Sequence, residues 1–353
     1  MPEIFGLAVS ILLGPIIVFV IVLVCITLLK AVALKFGLID APGGRKRHAE
    51  PTPVVGGLAI YIGLMLSVLS SVSEISWSQI CFLTSITIVV FVGALDDVFG
   101  LSIWARLSSQ VVACLLVIGG SDVWIKTLGF GLFGDLPVWV GIGITVFSVV
   151  GLTNSINMID GIDGLAAAQV LAMISCLSVC LYLLHGFVPN LYWLIIFCSA
   201  VLAFLLVNLA VLSSGPVFLG DAGSLLLGFI SAWIVIYYTQ GRDPLLHPLL
   251  GVWLVVVPVI DTVIVIGLRL YHRKSPFSSD RTHLHLLLVD LGIQHRVVLT
   301  LIICFSVGLT LGGASISHFL GLKAGLLGLA FCFLGIVIVR YYLSRLNQAS
   351  AIH

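Results

Sequence analysis

Apolar runs follow one another along this chain, each close to the ~20 residues a helix needs to cross a hydrocarbon layer. Eleven can be marked, roughly over 5–29, 54–73, 79–95, 105–120, 137–153, 165–184, 191–212, 223–238, 249–268, 298–317 and 323–343. They lack the roughly ten-residue alternation of membrane barrel strands. With 60% hydrophobic and 9% charged residues and a mean hydropathy of +1.25, the chain reads as all-α. The expectation is a single polytopic membrane domain over residues 1–353 with about 11 transmembrane helices, ten being the alternative. No basic residue precedes the first run, which is also too long for a secretory signal, so it reads as an uncleaved span.

Charge then orients the chain. One set of loops, with its flanking helix ends, carries Lys30, Lys35, Arg45, Lys46, Arg47, Arg106, Arg269, Arg273, Lys274, Arg281, Arg296, Arg340 and Arg345. The opposite set carries only Lys126, Arg242 and Lys323. Basic residues mark the cytosolic side, so the N-terminus is expected outside and the C-terminus inside. The acids repeat the asymmetry: Asp40, Glu50, Asp96, Asp97, Asp160, Asp163, Asp221, Asp280 and Asp290 fall on that same side, with Asp261 near that end of its span. The working face is therefore expected in the cytosolic loops 30–53, 96–104, 154–164, 213–222 and 269–297. Net charge is +1, and no nucleic-acid partner is expected. The eight cysteines all lie inside apolar runs without a Cys-x-x-Cys pair, which argues against a disulfide framework or a zinc site.

Five polar segments interrupt the apolar pattern. In Asn154–Leu165, Asn154, Asn157, Asp160 and Asp163 stand three apart; if helical, neighbours share a face. Gly161 and Gly164 limit the helix and admit a ligand to the backbone. The plain alternative is a polar helix end at the membrane surface. Around Asp40–Gly57, Arg45, Lys46, Arg47 and His48 suit anionic lipid headgroups, or, with Pro51, Pro53, Gly56 and Gly57, a shaped loop. Asp96 and Asp97 end an apolar run, where adjacent carboxylates repel and call for a cation. Mg²⁺ is the natural hard ion, with Mn²⁺ a substitute. Asp221, between glycines, reads as a metal carboxylate on a turn or as a helix cap. Phe218 beside it either stacks on a base or faces lipid. Ser275–Leu286 carries Arg281, His283 and His285, donors suited to phosphate oxygens. A capped surface helix is the alternative there.

Taken in order, these motifs resemble those of the polyprenyl-phosphate N-acetylhexosamine-1-phosphate transferases: Arg-Lys-x-His with Pro-x-Pro and Gly-Gly, then Asp-Asp, Asn-x-x-Asp-Gly-x-Asp-Gly, Gly-Asp-x-Gly-Ser, and Ser-Pro-Phe-Ser-x-Asp-Arg-x-His-x-His. The likeness runs from about residue 38 to 290. The Ser-Pro-Phe-Ser-x-Asp-Arg stretch and Thr239-Gln240-Gly241 are most similar to the WecA type, which places GlcNAc-1-phosphate on undecaprenyl phosphate. Leu286 stands where relatives often carry a final histidine.

The resemblance implies a Mg²⁺-dependent phosphoglycosyl transfer from a UDP-sugar, UDP-GlcNAc or another UDP-N-acetylhexosamine, to undecaprenyl phosphate in the bilayer of a bacterial inner membrane. It implies a metal at Asp221 with Asp96 and Asp97 nearby, and uracil at Asp163 and Phe218. Asn157 and Asp160 are implied at the diphosphate, and Arg281, His283 and His285 at sugar or phosphate. Arg45, Lys46 and His48 join the substrate-binding residues, and a homodimer is possible. The reading from another class is a secondary transporter. That would place acids near the bilayer midplane and relate the chain's halves by repetition, and neither is evident in the sequence.

Overall fold

A computed structural model of the chain describes residues 2–40, 51–71, 74–129, 134–188, 190–212, 216–278 and 281–350. In order the elements are α1 (Pro2–Phe36), β1 (Ile39–Asp40), β2 (Thr52–Pro53), α2 (Gly56–Ser71), α3 (Trp77–Phe99), α4 (Ile103–Ser121) and α5 (Val138–Ile159). There follow α6 (Leu165–His185), α7 (Leu191–Asn208), α8 (Gly220–Gln240), α9 (Pro248–Leu254), α10 (Val256–Tyr271), α11 (Leu284–Asp290), α12 (His295–Phe319) and α13 (Leu322–Ser350).

The fold is the expected helical membrane protein. Among the described residues nine helices are long and apolar enough to cross a membrane, and ten if the bent pair α9 and α10 is one span. Two expected spans differ. The run at 54–73 yields α2, of 16 residues, shorter than a bilayer usually requires. The run at 249–268 bends by 76° between α9 and α10. Pro258 explains the bend: it has no N–H to offer the Leu254 carbonyl, and its ring crowds the preceding turn. The spans at 79–95, 105–120 and 223–238 prove longer than they read, at 23, 19 and 21 residues. Each helix continues through polar residues at its end, because a helical backbone satisfies its own polar groups whatever the side chains are.

The chain forms two compact units, Met1–Asp122 with Val188–Phe229, and Val123–Phe187 with Ile230–His353. In the first, α1 packs on α2 and α7, and α3 on α4. Ser76 and Gln79 form a capping box at the start of α3, and Gly100 ends α3 in the left-handed region at φ +63°. Ser102 then caps α4 through the Ala105 amide, so α3 and α4 reverse direction in three residues. β1 and β2 pair antiparallel, Ile39 opposite Pro53 and Asp40 opposite Thr52. The chain beyond β2 meets Phe218 through the Val54 bridge, and the amides of Gly56 and Gly57 donate to the carbonyls of Phe218 and Leu219 at 3.0 Å each. Asn208 Nδ2 donates to the Val217 carbonyl at 2.8 Å. These bonds seat the entrance to α8.

In the second unit α12 packs on α6 and α13, and α10 on α5. Buried Ser306 on α12 donates to Gln169 Oε1 on α6 at 2.8 Å. Such interhelical hydrogen bonds and close packing hold membrane helices together where lipid removes most of the hydrophobic drive. Gln240 at the end of α8 accepts from the amides of Lys126 and Thr127 and donates to the Thr127 carbonyl, satisfying a loop with no regular structure of its own.

Candidate active site

In the first unit Asp96 and Asp97 occupy the last turn of α3, and Asp221 the first turn of α8. Neighbouring aspartates on a helix point about 100° apart, and these two have different partners. Asp96 is buried. Its Oδ1 accepts the Leu101 amide at 2.6 Å, and its Oδ2 accepts from Arg106 Nη1 at 2.7 Å. Asp97 turns to α8, where Oδ1 accepts the Asp221 amide at 2.8 Å and Oδ2 the Ala222 amide at 3.1 Å. A carboxylate at a helix N-terminus satisfies orphan amides and meets the positive end of the dipole.

The approach depends on glycine. A Cβ on Gly93 would stand 2.6 Å from Ala222 Cα, and one on Gly220, which sits at φ +73°, would stand 2.6 Å from Asp97 Oδ2. Arg106 completes the group, reaching Asp221 Oδ2 at 3.4 Å as well as Asp96. The Asp221 side chain is 31% exposed against 6% for Asp96, so Asp221 is the more accessible acid. Half-buried Phe218 lies just before α8; its amide donates to the Pro53 carbonyl. Arg45, Lys46 and His48 lie outside the described residues.

In the second unit α5 continues to Ile159, so Asn154 and Asn157 are helical rather than part of a loop. Asp160 is the C-cap. Asp163 lies past the helix, exposed, so the face-sharing series stops at Asp160. Gly164, at φ +78°, starts α6. Asn157 and Asp160 are half-buried.

Arg281 is held by Asp290, with Nη2 at 2.5 Å from Oδ1; that hydrogen bond raises its already high pKa. His283 and His285 are buried, 4% and 2% exposed, and their rings stack with centroids 5.6 Å apart. Burial, the largest influence, holds His285 down at about 3, so its imidazole is neutral near pH 7. Its buried Nε2 has no hydrogen-bond partner among the described residues and faces Gly161, where a Cβ would collide with it. Arg269, also buried, donates to the Pro276 carbonyl at 2.6 Å and so shapes the turn that precedes the histidines.

Three residues that the motifs did not single out for the site are built into these groups: Arg106, Asp261 and Arg340. Arg106 had a signal, a cation at the start of an apolar run ten residues after Asp96. Asp261 and Arg340 had a weaker one, charges inside apolar runs. Asp261 Oδ2 accepts from His283 Nδ1 at 2.7 Å, and its Oδ1 accepts the Leu284 amide at 3.0 Å and Arg340 Nη1 at 2.5 Å.

Residues 79–239 match the family described as glycosyl transferase family 4. The undecaprenyl-phosphate alpha-N-acetylglucosaminyl 1-phosphate transferase of Yersinia pestis is 33% identical over 276 residues, covering 77% of this chain and 75% of that protein. The protein of the same description from Salmonella typhi is 32% identical over 314 residues, covering 86% and 83%. That from Haemophilus influenzae is 31% identical over 295 residues, covering 80% and 81%.

Proposed function

This chain belongs to glycosyl transferase family 4, with the undecaprenyl-phosphate alpha-N-acetylglucosaminyl 1-phosphate transferases, and we propose that it transfers GlcNAc-1-phosphate from UDP-GlcNAc to undecaprenyl phosphate, giving the lipid diphosphate sugar and UMP. The observation that carries this reading is the identity of about a third with proteins of that description over more than three quarters of the chain. The product would begin a lipid-linked surface glycan. The acceptor is a lipid, which suits a multi-pass membrane protein. The basic asymmetry of the loops favours a reaction at the cytosolic face of the bacterial inner membrane.

The chemistry exchanges one diphosphate linkage for another. The lipid phosphate attacks the β-phosphorus and UMP leaves. A phosphate monoester has its second pKa near ~6, so most of the nucleophile is already dianionic at neutral pH. The protein's work is then orientation and charge neutralisation. Among the described residues no three His, Cys, Asp or Glu side chains form a metal-holding group. Mg²⁺, however, commonly takes one or two carboxylates plus substrate phosphates instead of an all-protein cage. The half-buried hard-oxygen donor Asp221, more accessible than Asp96 beside Arg106 in the same group, fits that mode. Mg²⁺ held there would neutralise diphosphate charge and activate phosphorus.

The chain's own residues do the rest. Asp97 fixes the first turn of α8 and hence the Asp221 backbone. Arg106 keeps Asp96 and Asp221 from repelling each other and offers a guanidinium to phosphate oxygens. In the second unit the resemblance assigns Asp163 to uracil, Asn157 and Asp160 to the diphosphate region, and Arg281, His283 and His285 to sugar or phosphate.

The test is product identity. Purified protein with undecaprenyl phosphate and a panel of UDP-sugars should release UMP with UDP-GlcNAc, and labelled UMP should exchange back into UDP-GlcNAc. Release of UDP, or inversion at the anomeric carbon, would rule the mechanism out. Preference for another UDP-N-acetylhexosamine would correct the donor alone.

A further inference from the structure

Asp261 is an acid inside an apolar helix, 3% exposed, and Arg340 on α13 is equally buried. The two meet 79 residues apart in the chain, and Arg340 Nη2 also donates to the Thr282 carbonyl. Asn347, two turns further along α13, donates to the Leu287 carbonyl at 3.1 Å. The last helix therefore grips the short histidine-bearing segment at both ends. A buried ion pair is seldom more stabilising than apolar side chains of the same volume, so stability alone is a weak reason for this arrangement. Its clear product is orientation. An ionised carboxylate only accepts hydrogen bonds. The contact between Asp261 Oδ2 and His283 Nδ1 at 2.7 Å therefore puts the imidazole proton on Nδ1. Arg340 already balances the carboxylate charge before the imidazole is counted. In the neutral ring the lone pair then falls on His283 Nε2, which makes no hydrogen bond to the described residues.

We propose that Asp261 and Arg340 are positioning residues that hold His283 as its Nδ1–H tautomer, so that Nε2 accepts a hydrogen bond from an O–H or N–H of the donor sugar. This rests on the reading above that His283 touches substrate. The logic is that of a carboxylate which orients an imidazole without touching the substrate itself. Replacing Asp261 by Asn keeps the volume and one acceptor for the Leu284 amide but presents an N–H₂ to His283 Nδ1. The ring must then carry its proton on Nε2, and the acceptor becomes a donor.

The experiment compares steady-state kinetics with UDP-GlcNAc for wild type, His283→Gln, Asp261→Asn, the charge-balanced pair Asp261→Asn with Arg340→Gln, and Asp261→Asn combined with His283→Gln. His283→Gln, Asp261→Asn and the balanced pair should each lose on the order of 10- to 100-fold in kcat/KM, the usual loss when an orienting partner is removed. The Asp261–His283 double variant should be no worse than His283→Gln, because both act through one contact. The balanced pair also covers the case in which Asp261→Asn alone leaves Arg340 uncompensated and fails to accumulate. Recovery of wild-type kinetics in the balanced pair, or losses that multiply in the double variant, would overturn the positioning role while leaving substrate contact intact. Unchanged kinetics in His283→Gln would remove the substrate contact and this proposal with it.

Discussion

Asp97 Oδ1 lies 2.8 Å from the Asp221 amide nitrogen, 124 residues further along the chain, and with the Ala222 bond to its other oxygen this makes an acid on α3 the cap of α8. The capping residue thus comes from a neighbouring helix instead of from the residue before α8, and the geometry of Asp221 depends on it.

Asp97→Asn keeps one acceptor and sets an amide against the other N–H. Turnover should fall on the order of 10²-fold, while stability should fall by only about 1 kcal/mol, as for other lost caps. Gly93→Val should give the same loss with every acid in place, because the new side chain would force α3 away from Ala222. Turnover measured beside thermal unfolding in detergent checks both. Near-normal turnover in either variant would show that α8 does not need this seat.

Asp221→Asn should abolish turnover while leaving the protein in the membrane, and Asp96→Asn should lose on the order of 10²-fold or more. EDTA should stop the wild type, and Mg²⁺ should restore it. Full activity in EDTA would end the metal proposal.

Arg106 bridges Asp96 and Asp221. Arg106→Gln leaves these acids without that guanidinium and should depress turnover strongly. Arg106→Lys keeps the charge but loses the forked geometry, and should retain part of it. Equal activity of the two variants would mean that charge at this position is irrelevant.

Burial holds His285 at about 3, against an ordinary 6.5. The unfolded chain takes up a proton near 6.5 and the folded chain does not until about 3. The contribution of the buried neutral ring is therefore fully present above about pH 6.5 and is lost as pH falls from there towards 3. Thermal midpoints should drop on acidification from about pH 7.5 to about pH 5, and drop less in His285→Gln. Parallel curves for the two proteins would contradict this.

A C-terminal reporter active only in the cytosol should work, and one active only in the periplasm should stay silent, as the basic asymmetry requires. The opposite result would place all the basic loops outside.

The length and composition of the apolar runs determined the class of fold by themselves, because a hydrocarbon layer admits no open sheet edge or bare loop and leaves helices as the solution for runs of that length. The order and spacing of short polar motifs, from Asp96-Asp97 to His283-x-His285, were likewise enough to point to a family of transferases. Such motifs are local strings, legible without knowing which of them meet in space. The positions of helix ends were less legible. Hydropathy falls at the first charged residue, whereas the helices run on through Asp96, Asp97 and Asn157 on their own hydrogen bonds. The bend at Val255 was present in principle in Pro258, but hydropathy alone counts a proline in an apolar run as part of the span.

Which partner each acid takes was not legible in the sequence. Asp96 and Asp97 are identical and adjacent in sequence, yet one binds Arg106 and the other caps α8, since a single helical step turns each towards a different neighbour. The pairing of Asp261 with Arg340, and the burial that keeps His285 neutral, join segments far apart in the chain. Such roles are set by which side chains packing brings within hydrogen-bond reach and how much water it excludes, and neither quantity is a property of any local stretch of sequence.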